Sequence, residues 1–393
     1  VNGFLINATP QICLALELNS GQLGMIGAGI PIGYAVSCLT FGRLFSGIPS
    51  KYVMFGGATT SLLALMLMSS ANSAGICILA QVTYGLGSGA FWPFASAWLL
   101  DFQTEEITRT RLLRFYNVSW TAGTASGMFF SGLLCGAGYI WLPVQIGIAM
   151  MLIMQVMIWF PRTTQHIHIE PEQGTVSATR LGIALVAAAA IANLAAVGTR
   201  TMIVNNYAEL NEELHFGPER IGIIASLSLF GQLAGFGLGV LYERWLGMRR
   251  LYVAMAVAMV GINLTIAYQT SMALLVIAVL LHGVVLAVAF QGGILAAIRS
   301  FTSPRTGTTF HEATVGFAGI APFLAGQLVQ IQKGRGVGTI EALQTPFLVM
   351  AGMIVLALAL QLFLVGRRPA QRALLEKAQV EFPRKPDADN AMA

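Results

Sequence analysis

Residues 239–250 read GVLYERWLGMRR, an acid and three arginines set between two apolar runs, 217–241 and 250–269. The glycines allow close helix approach and a tight turn, and Glu243 can pair with an arginine across a helix end. What a charged knot does between apolar runs depends on the solvent the runs are built for. Composition decides that. Hydrophobic residues make up 56% of the 393-residue chain and charged ones only 10%, with a mean hydropathy of +0.72. A soluble domain carries about a quarter charged residues. This chain has too few polar groups to cover its own surface, so lipid must cover it. It reads as an all-α integral membrane protein with many spans.

A helix that crosses a bilayer needs roughly 20 mainly apolar residues. On that basis twelve spans are expected, at about 1–17, 21–45, 52–71, 75–100, 112–137, 140–160, 181–206, 217–241, 250–269, 272–297, 306–330 and 343–366. The first, VNGFLINATPQICLALE, is short for a span and begins at Val1, so the expectation is that it is truncated. No cleavable signal pattern stands there. The spans divide into an N-terminal six-helix bundle (1–160), a polar linker (161–180), a C-terminal six-helix bundle (181–366) and a basic tail (367–393).

The basic residues sort by side. Of 22 lysines and arginines, only Arg220, Lys333 and Arg335 fall on the side opposite the chain start, and only Arg200 falls inside a span. By the positive-inside rule both termini are expected in the cytoplasm, with Arg244, Arg249 and Arg250 in a cytoplasmic loop. The same bias explains the pI of 9.2 without nucleic acid. Cys13, Cys38, Cys77 and Cys135 lie in or beside apolar runs, with no CxxC, and read as small apolar side chains. His166 and His168 in the linker read as solvated, so no metal is expected.

The chain also repeats itself. A shift of 198 lays Gly24 on Gly222, Gly33 on Gly231 and Gly85 on Gly283, and a shift of 199 lays Ala90 and Phe91 on Ala289 and Phe290. Such a duplication is common in membrane carriers. Two halves in parallel are expected.

The loop 239–250 resembles the cytoplasmic signature of the major facilitator superfamily, roughly G-x-L-x-D-R-x-G-R-R with one residue added. Gly239, Leu241, Glu243 (for Asp), Arg244, Gly247, Arg249 and Arg250 carry the resemblance. Its first-half copy, GRLFSGIPSK at 42–51, is degraded, so the resemblance implies that any conformational latch sits in the second half. Span four, QVTYGLGSGAFWPFASAW at 81–98, is similar to the family's R-x-x-x-G-x-G pattern, with Gln81 in place of the arginine. Span five, NVSWTAGTASGMFFSG at 117–132, is similar to a glycine-rich antiporter motif with Met128 for proline. The plain reading of these glycines is helix packing. The resemblance implies two pseudo-symmetric six-helix bundles around a central cavity lined mainly by spans one, four, seven and ten, with alternating access by rocking.

Ionisable residues inside spans are few. An ionised side chain at the bilayer centre costs at least about 2.5–3.5 kcal/mol and is normally kept for a reason. Only Glu312, Arg200, His282 and His311 lie there. Glu312, with His311 beside it, is a candidate for proton coupling or for the cytoplasmic gate; the alternative is a fixed bridge to a loop arginine. Arg200 either binds an anionic solute or snorkels to the outer surface. His282 is placed in the cavity or in packing. Trp92, Gln291, Asn117, Gln11 and Tyr34 are cavity candidates by polarity and position.

Taken together, the residues predict a monomeric secondary transporter in a bacterial inner or plasma membrane. It would move a small organic solute, preferably anionic or zwitterionic, with protons. No GxxxxGK[ST] occurs, so ATP drive is not expected. No HExxH or GxSxG occurs, so an enzyme is not expected either, nor any cofactor. The rival reading is a non-transporting receptor or assembly factor, which would leave the cavity filled.

Overall fold

In lipid every backbone amide must be satisfied within its own segment, so apolar spans fold as helices. The computed structural model describes residues 1–45, 48–100, 109–160, 180–215, 217, 219–238, 248–268, 271–301 and 304–365. Its first half holds α1 (Asn2–Ala15), α2 (Ser20–Leu44), α3 (Ser50–Ser69), α4 (Ala74–Leu100), α5 (Arg109–Gly136) and α6 (Leu142–Trp159). The second half holds α7 (Arg180–Glu213), α8 (Glu219–Gly237), α9 (Arg249–Tyr268), α10 (Met272–Ser300), α11 (Pro304–Ala318), α12 (Ile320–Gly334) and α13 (Thr339–Leu364).

Two differences from the expected spans have local causes. Span eleven is two helices, α11 and α12, broken at Gly319. Pro322 has no N–H to offer the Ala318 carbonyl, so the hydrogen-bond ladder fails there. The Pro31 ring of α2 fills the notch, and a Cβ on Gly319 would overlap it. Span seven runs on to Glu213, two turns past the expected end at 206, because Glu209 finds a cation, Lys333, at 2.6 Å. Ten of the described segments are long and apolar enough to cross a membrane, with α11 and α12 taken as one. Neither α1 nor α5 is among them. The 14-residue α1, at 1.5 Å per residue, is about 21 Å long, against a hydrocarbon core of about 30 Å.

Local signals fix several ends. Asn19 and Gln22 cap α2 reciprocally: the Asn19 Oδ1 accepts from the Gln22 N–H (2.9 Å) and the Gln22 Oε1 from the Asn19 N–H (3.1 Å). Ser271 accepts from the Leu274 N–H and caps α10. Lipid-facing threonines return their hydroxyls to the preceding turn, as Thr60 does to Gly56 and Thr265 to Gly261.

Each half packs its helices around its own apolar core. One core is built around Leu5, Ile12, Leu65, Met68 and Tyr84, the other around Met202, Tyr207, Met259, Leu286 and Phe347. Large apolar side chains left exposed, such as Ile153 and Met157 on α6, Val257 on α9, and Leu356 and Phe363 on α13, form a lipid-facing surface. Without a hydrophobic drive between helices in lipid, close backbone approach and interhelical hydrogen bonds hold the bundles. The glycines supply the first. Gly33 meets Gly85 where α2 crosses α4, and Gly231 meets Gly283 where α8 crosses α10. These are the positions that the 198-residue shift superposes, so the same crossing occurs once in each half. The second comes from amides such as Asn263, which donates to Thr199 Oγ1, and Gln361, which donates to the Ala188 carbonyl.

The two bundles meet along α2 with α11 and α12, and along α5 with α8. Gly24 lies on Gly326 and Gly132 on Gly222, backbone against backbone. At one end of this seam Ser20 of α2 and Lys333 of α12 both bond the Glu209 carboxylate of α7, each at 2.6 Å. A cavity remains between the bundles at mid-depth.

Candidate functional site

The cavity has a volume of about 190 Å³ and is walled by both bundles. Helical spacing decides which residues reach it. On α7, Val197, Arg200, Thr201, Val204 and Asn205 share one face; on α4, Gln81, Ser88 and Trp92 do so. Shorter contributions come from Thr9 on α1, Tyr34 on α2, Tyr116 and Trp120 on α5, Phe290 on α10 and Glu312 on α11.

Glu312 is the one acid in this wall and Arg200 the one lysine or arginine. The Tyr34 hydroxyl donates to Glu312 Oε2 at 2.7 Å, so a hydrogen bond joins the first bundle to the second inside the cavity. Arg200 has no hydrogen bond or ion pair among the described residues. The remaining polar wall is largely engaged: Gln81 Nε2 donates to Thr9 Oγ1 at 2.6 Å, and Asn205 Nδ2 to the Thr201 carbonyl.

Aromatic rings line much of the rest. Trp92 and Tyr116 stand edge to face, with centroids 6.0 Å apart and planes at 71°. Trp120 of the first bundle meets Phe290 of the second at 6.1 Å and 55°. Trp120 Nε1 is held by Asn117 Oδ1 at 3.3 Å.

Of the coupling and cavity candidates picked from sequence, Glu312, Arg200, Trp92 and Tyr34 line the cavity, and His311, His282, Gln291, Asn117 and Gln11 do not. His311 is buried behind it, with its ring 4.7 Å from Phe290 and its Nε2 without a partner. The 100° step along the helix places the neighbours His311 and Glu312 on different faces. His282 is fully buried, bonded to Ser228 Oγ at 2.8 Å and to the Ala196 carbonyl at 3.0 Å, in a satisfied packing position. Asn117, Gln11 and Gln291 are buried outside the lining. In the loop signature, Gly239, Glu243, Arg244 and Gly247 lie outside the described residues. Arg249 and Arg250 open α9, and Arg249 donates to the Leu362 carbonyl of α13. Tyr116, Trp120, Phe290, Asn205 and Thr201 were not singled out from sequence. Aromatic and small polar residues are too common in such spans to signal a site, although Phe290 falls on Phe91 in the internal repeat.

Comparison with known proteins agrees with this architecture. The family model of the Major Facilitator Superfamily matches residues 1–189. The described residues share a fold with solved membrane transporters. The chain superposes on the nucleoside transporter NupG with a TM-score of 0.69 at 16% identity, covering 93% of this chain and 98% of that one. A bacterial homolog of the human lysosomal transporter Spinster, in an inward-facing and unoccupied conformation, gives a TM-score of 0.69 at 15% identity over 95% of this chain and 94% of that one. Among curated proteins, an enterobactin exporter of Salmonella choleraesuis (strain SC-B67) is 28% identical over 138 residues, 34% of this chain. The matched region spans 32% of that relative's length. The chain is thus a multi-pass membrane protein with the major facilitator fold and, through residues 1–189, the superfamily's sequence signature.

Proposed function

We propose that the protein is a monomeric secondary transporter that moves a small organic solute through this cavity by alternating access, coupled to protons at Glu312. The carrying observation is the Tyr34–Glu312 hydrogen bond at 2.7 Å, which links the two bundles across the cavity. When the bundles rock apart on that side, Tyr34 leaves and the carboxyl changes its surroundings. Its affinity for a proton then depends on the bundles' position, and that dependence is what coupling requires. His311 lies behind the wall and shapes the seat of Glu312 rather than receiving the proton. The arginine bias of the loops supports a reading with both termini in the cytoplasm, the membrane being a bacterial inner or plasma membrane. A non-transporting receptor or assembly factor would have no need of a hollow; the cavity with Arg200 and Glu312 in its wall favours carriage.

The test is solute-driven proton movement in proteoliposomes. With a panel of small organic solutes, at least one should move protons through the parent protein. Glu312→Gln should abolish that flux while solute exchange survives. Flux unchanged by the substitution would contradict the assignment.

A further inference from the structure

Building on the carrier reading, we propose that the solute is a small planar aromatic carboxylate, one or two rings bearing a single negative charge. The charge follows from what the wall leaves unpaired. Glu312 already receives the Tyr34 hydroxyl, whereas Arg200 faces the cavity with no partner among the described residues. A guanidinium in a largely apolar cavity gains most from a group that brings its own negative charge. Its planar fork matches a carboxylate through two parallel N–H···O bonds. One guanidinium balances one charge. A phosphate dianion would bring a second charge into a wall that already holds Glu312, so a monoanion fits and a phosphate ester does not.

The body of the solute follows from the rest of the lining. Gln81 and Asn205 each give one amide hydrogen to Thr9 and Thr201, so part of the small polar set of this wall is already used. Besides Tyr34, four aromatic side chains face the same space, two from one bundle in the Trp92–Tyr116 pair and two from opposite bundles in the Trp120–Phe290 pair. Aromatic rings prefer offset or edge-to-face neighbours at roughly 4.5–7 Å, and both pairs already show such tilted spacing. A flat ring can extend either arrangement. The Trp120–Phe290 pair spans the seam between bundles, so a ring seated against it touches both halves. Size closes the argument. At about 190 Å³ the cavity is below the roughly 300–1,000 Å³ of pockets for drug-sized ligands.

Equilibrium binding to the purified full chain in detergent tests this, by calorimetry and by quenching of tryptophan fluorescence. The probes are benzoate, cyclohexanecarboxylate (same charge, no π face) and benzamide (same ring, no charge). Benzoate should bind at least about tenfold tighter than either control, about 1.4 kcal/mol. Arg200→Gln should erase the preference over benzamide, and Arg200→Lys should keep part of it. Trp120→Leu should erase the preference over cyclohexanecarboxylate; Phe290→Leu serves if that variant does not fold. Equal binding of benzoate and either control overturns the proposal, as does no benzoate binding to a chain that melts cooperatively. Binding needs no transport, so the two readings fail separately. Benzoate bound with no proton flux in vesicles upholds the ligand class and sinks the carrier. Flux driven by a non-aromatic solute, with benzoate unbound, does the reverse.

Discussion

Tyr34 and Glu312 belong to different bundles, and the bond between them is the smallest unit on which the transport account depends. Hydrogen bonds to charged groups contribute about 1.5–3 kcal/mol. Tyr34→Phe removes the bond and little else. It should lower solute-driven proton flux by roughly tenfold or more, with the melting temperature in detergent nearly unchanged. Flux at the parent level would make the bond incidental. Sequence reasoning found Glu312 because a carboxylate in an apolar run is costly and therefore rare. It found Arg200 for the same reason. It could not separate His282 from the cavity, because burial with Ser228 and the Ala196 carbonyl is a property of three helices at once. Trp120 and Tyr116 were invisible for the opposite reason: an aromatic ring is unremarkable in a span until its face is known.

Among elements, the glycine crossings were the most legible feature. The repeat at 198 residues superposed Gly33 with Gly231 and Gly85 with Gly283, and each pair of crossings proves to be a backbone contact. A Cβ on Gly283 would collide with the Ser228 carbonyl, whereas one on Gly261 meets nothing within 4 Å. Gly283→Ala should therefore lower the melting temperature by several degrees or prevent folding. Gly261→Ala should be neutral or stabilising by up to about 1 kcal/mol, since alanine costs less chain entropy in a helix. Thermal melts of the two variants in detergent decide it; equal losses would mean that the crossings are loosely packed. The break in span eleven was less legible. A proline such as Pro322 can sit in the first turn of a helix or interrupt one. The notch that Pro31 of α2 fills is a tertiary fact.

For the whole molecule, the seam between bundles is closed at the end where Ser20 and Lys333 share the Glu209 carboxylate. Lys333 and Glu209 are partly buried, so their pair is less screened than one on an open surface. The cluster joins α2 of one bundle to α7 and α12 of the other and should act as a clasp. Lys333→Ala removes two of its three bonds, among them the 3.3 Å bond to Ser20 across the seam. It should shift the population towards the form open at that end, by roughly 5- to 150-fold for a change of 1–3 kcal/mol. Only the charges of this clasp were legible in sequence. Lys333 and Glu209 are far apart in the chain, and span seven was expected to end before Glu209.

Movement of the bundles is the claim on which carriage stands, and a distance across the closed end tests it most directly. Glu17 in the α1–α2 turn and Arg335 after α12 are exposed on opposite bundles at that end. Cys13, Cys38, Cys77 and Cys135 are buried, so spin labels on cysteines introduced at 17 and 335 should react selectively. Double electron–electron resonance should give one short distance in the resting protein. A second, longer distance should appear when a transported solute is added at low pH, and it should grow in Lys333→Ala. A single unchanged distance under every condition, including that variant, would contradict alternating access.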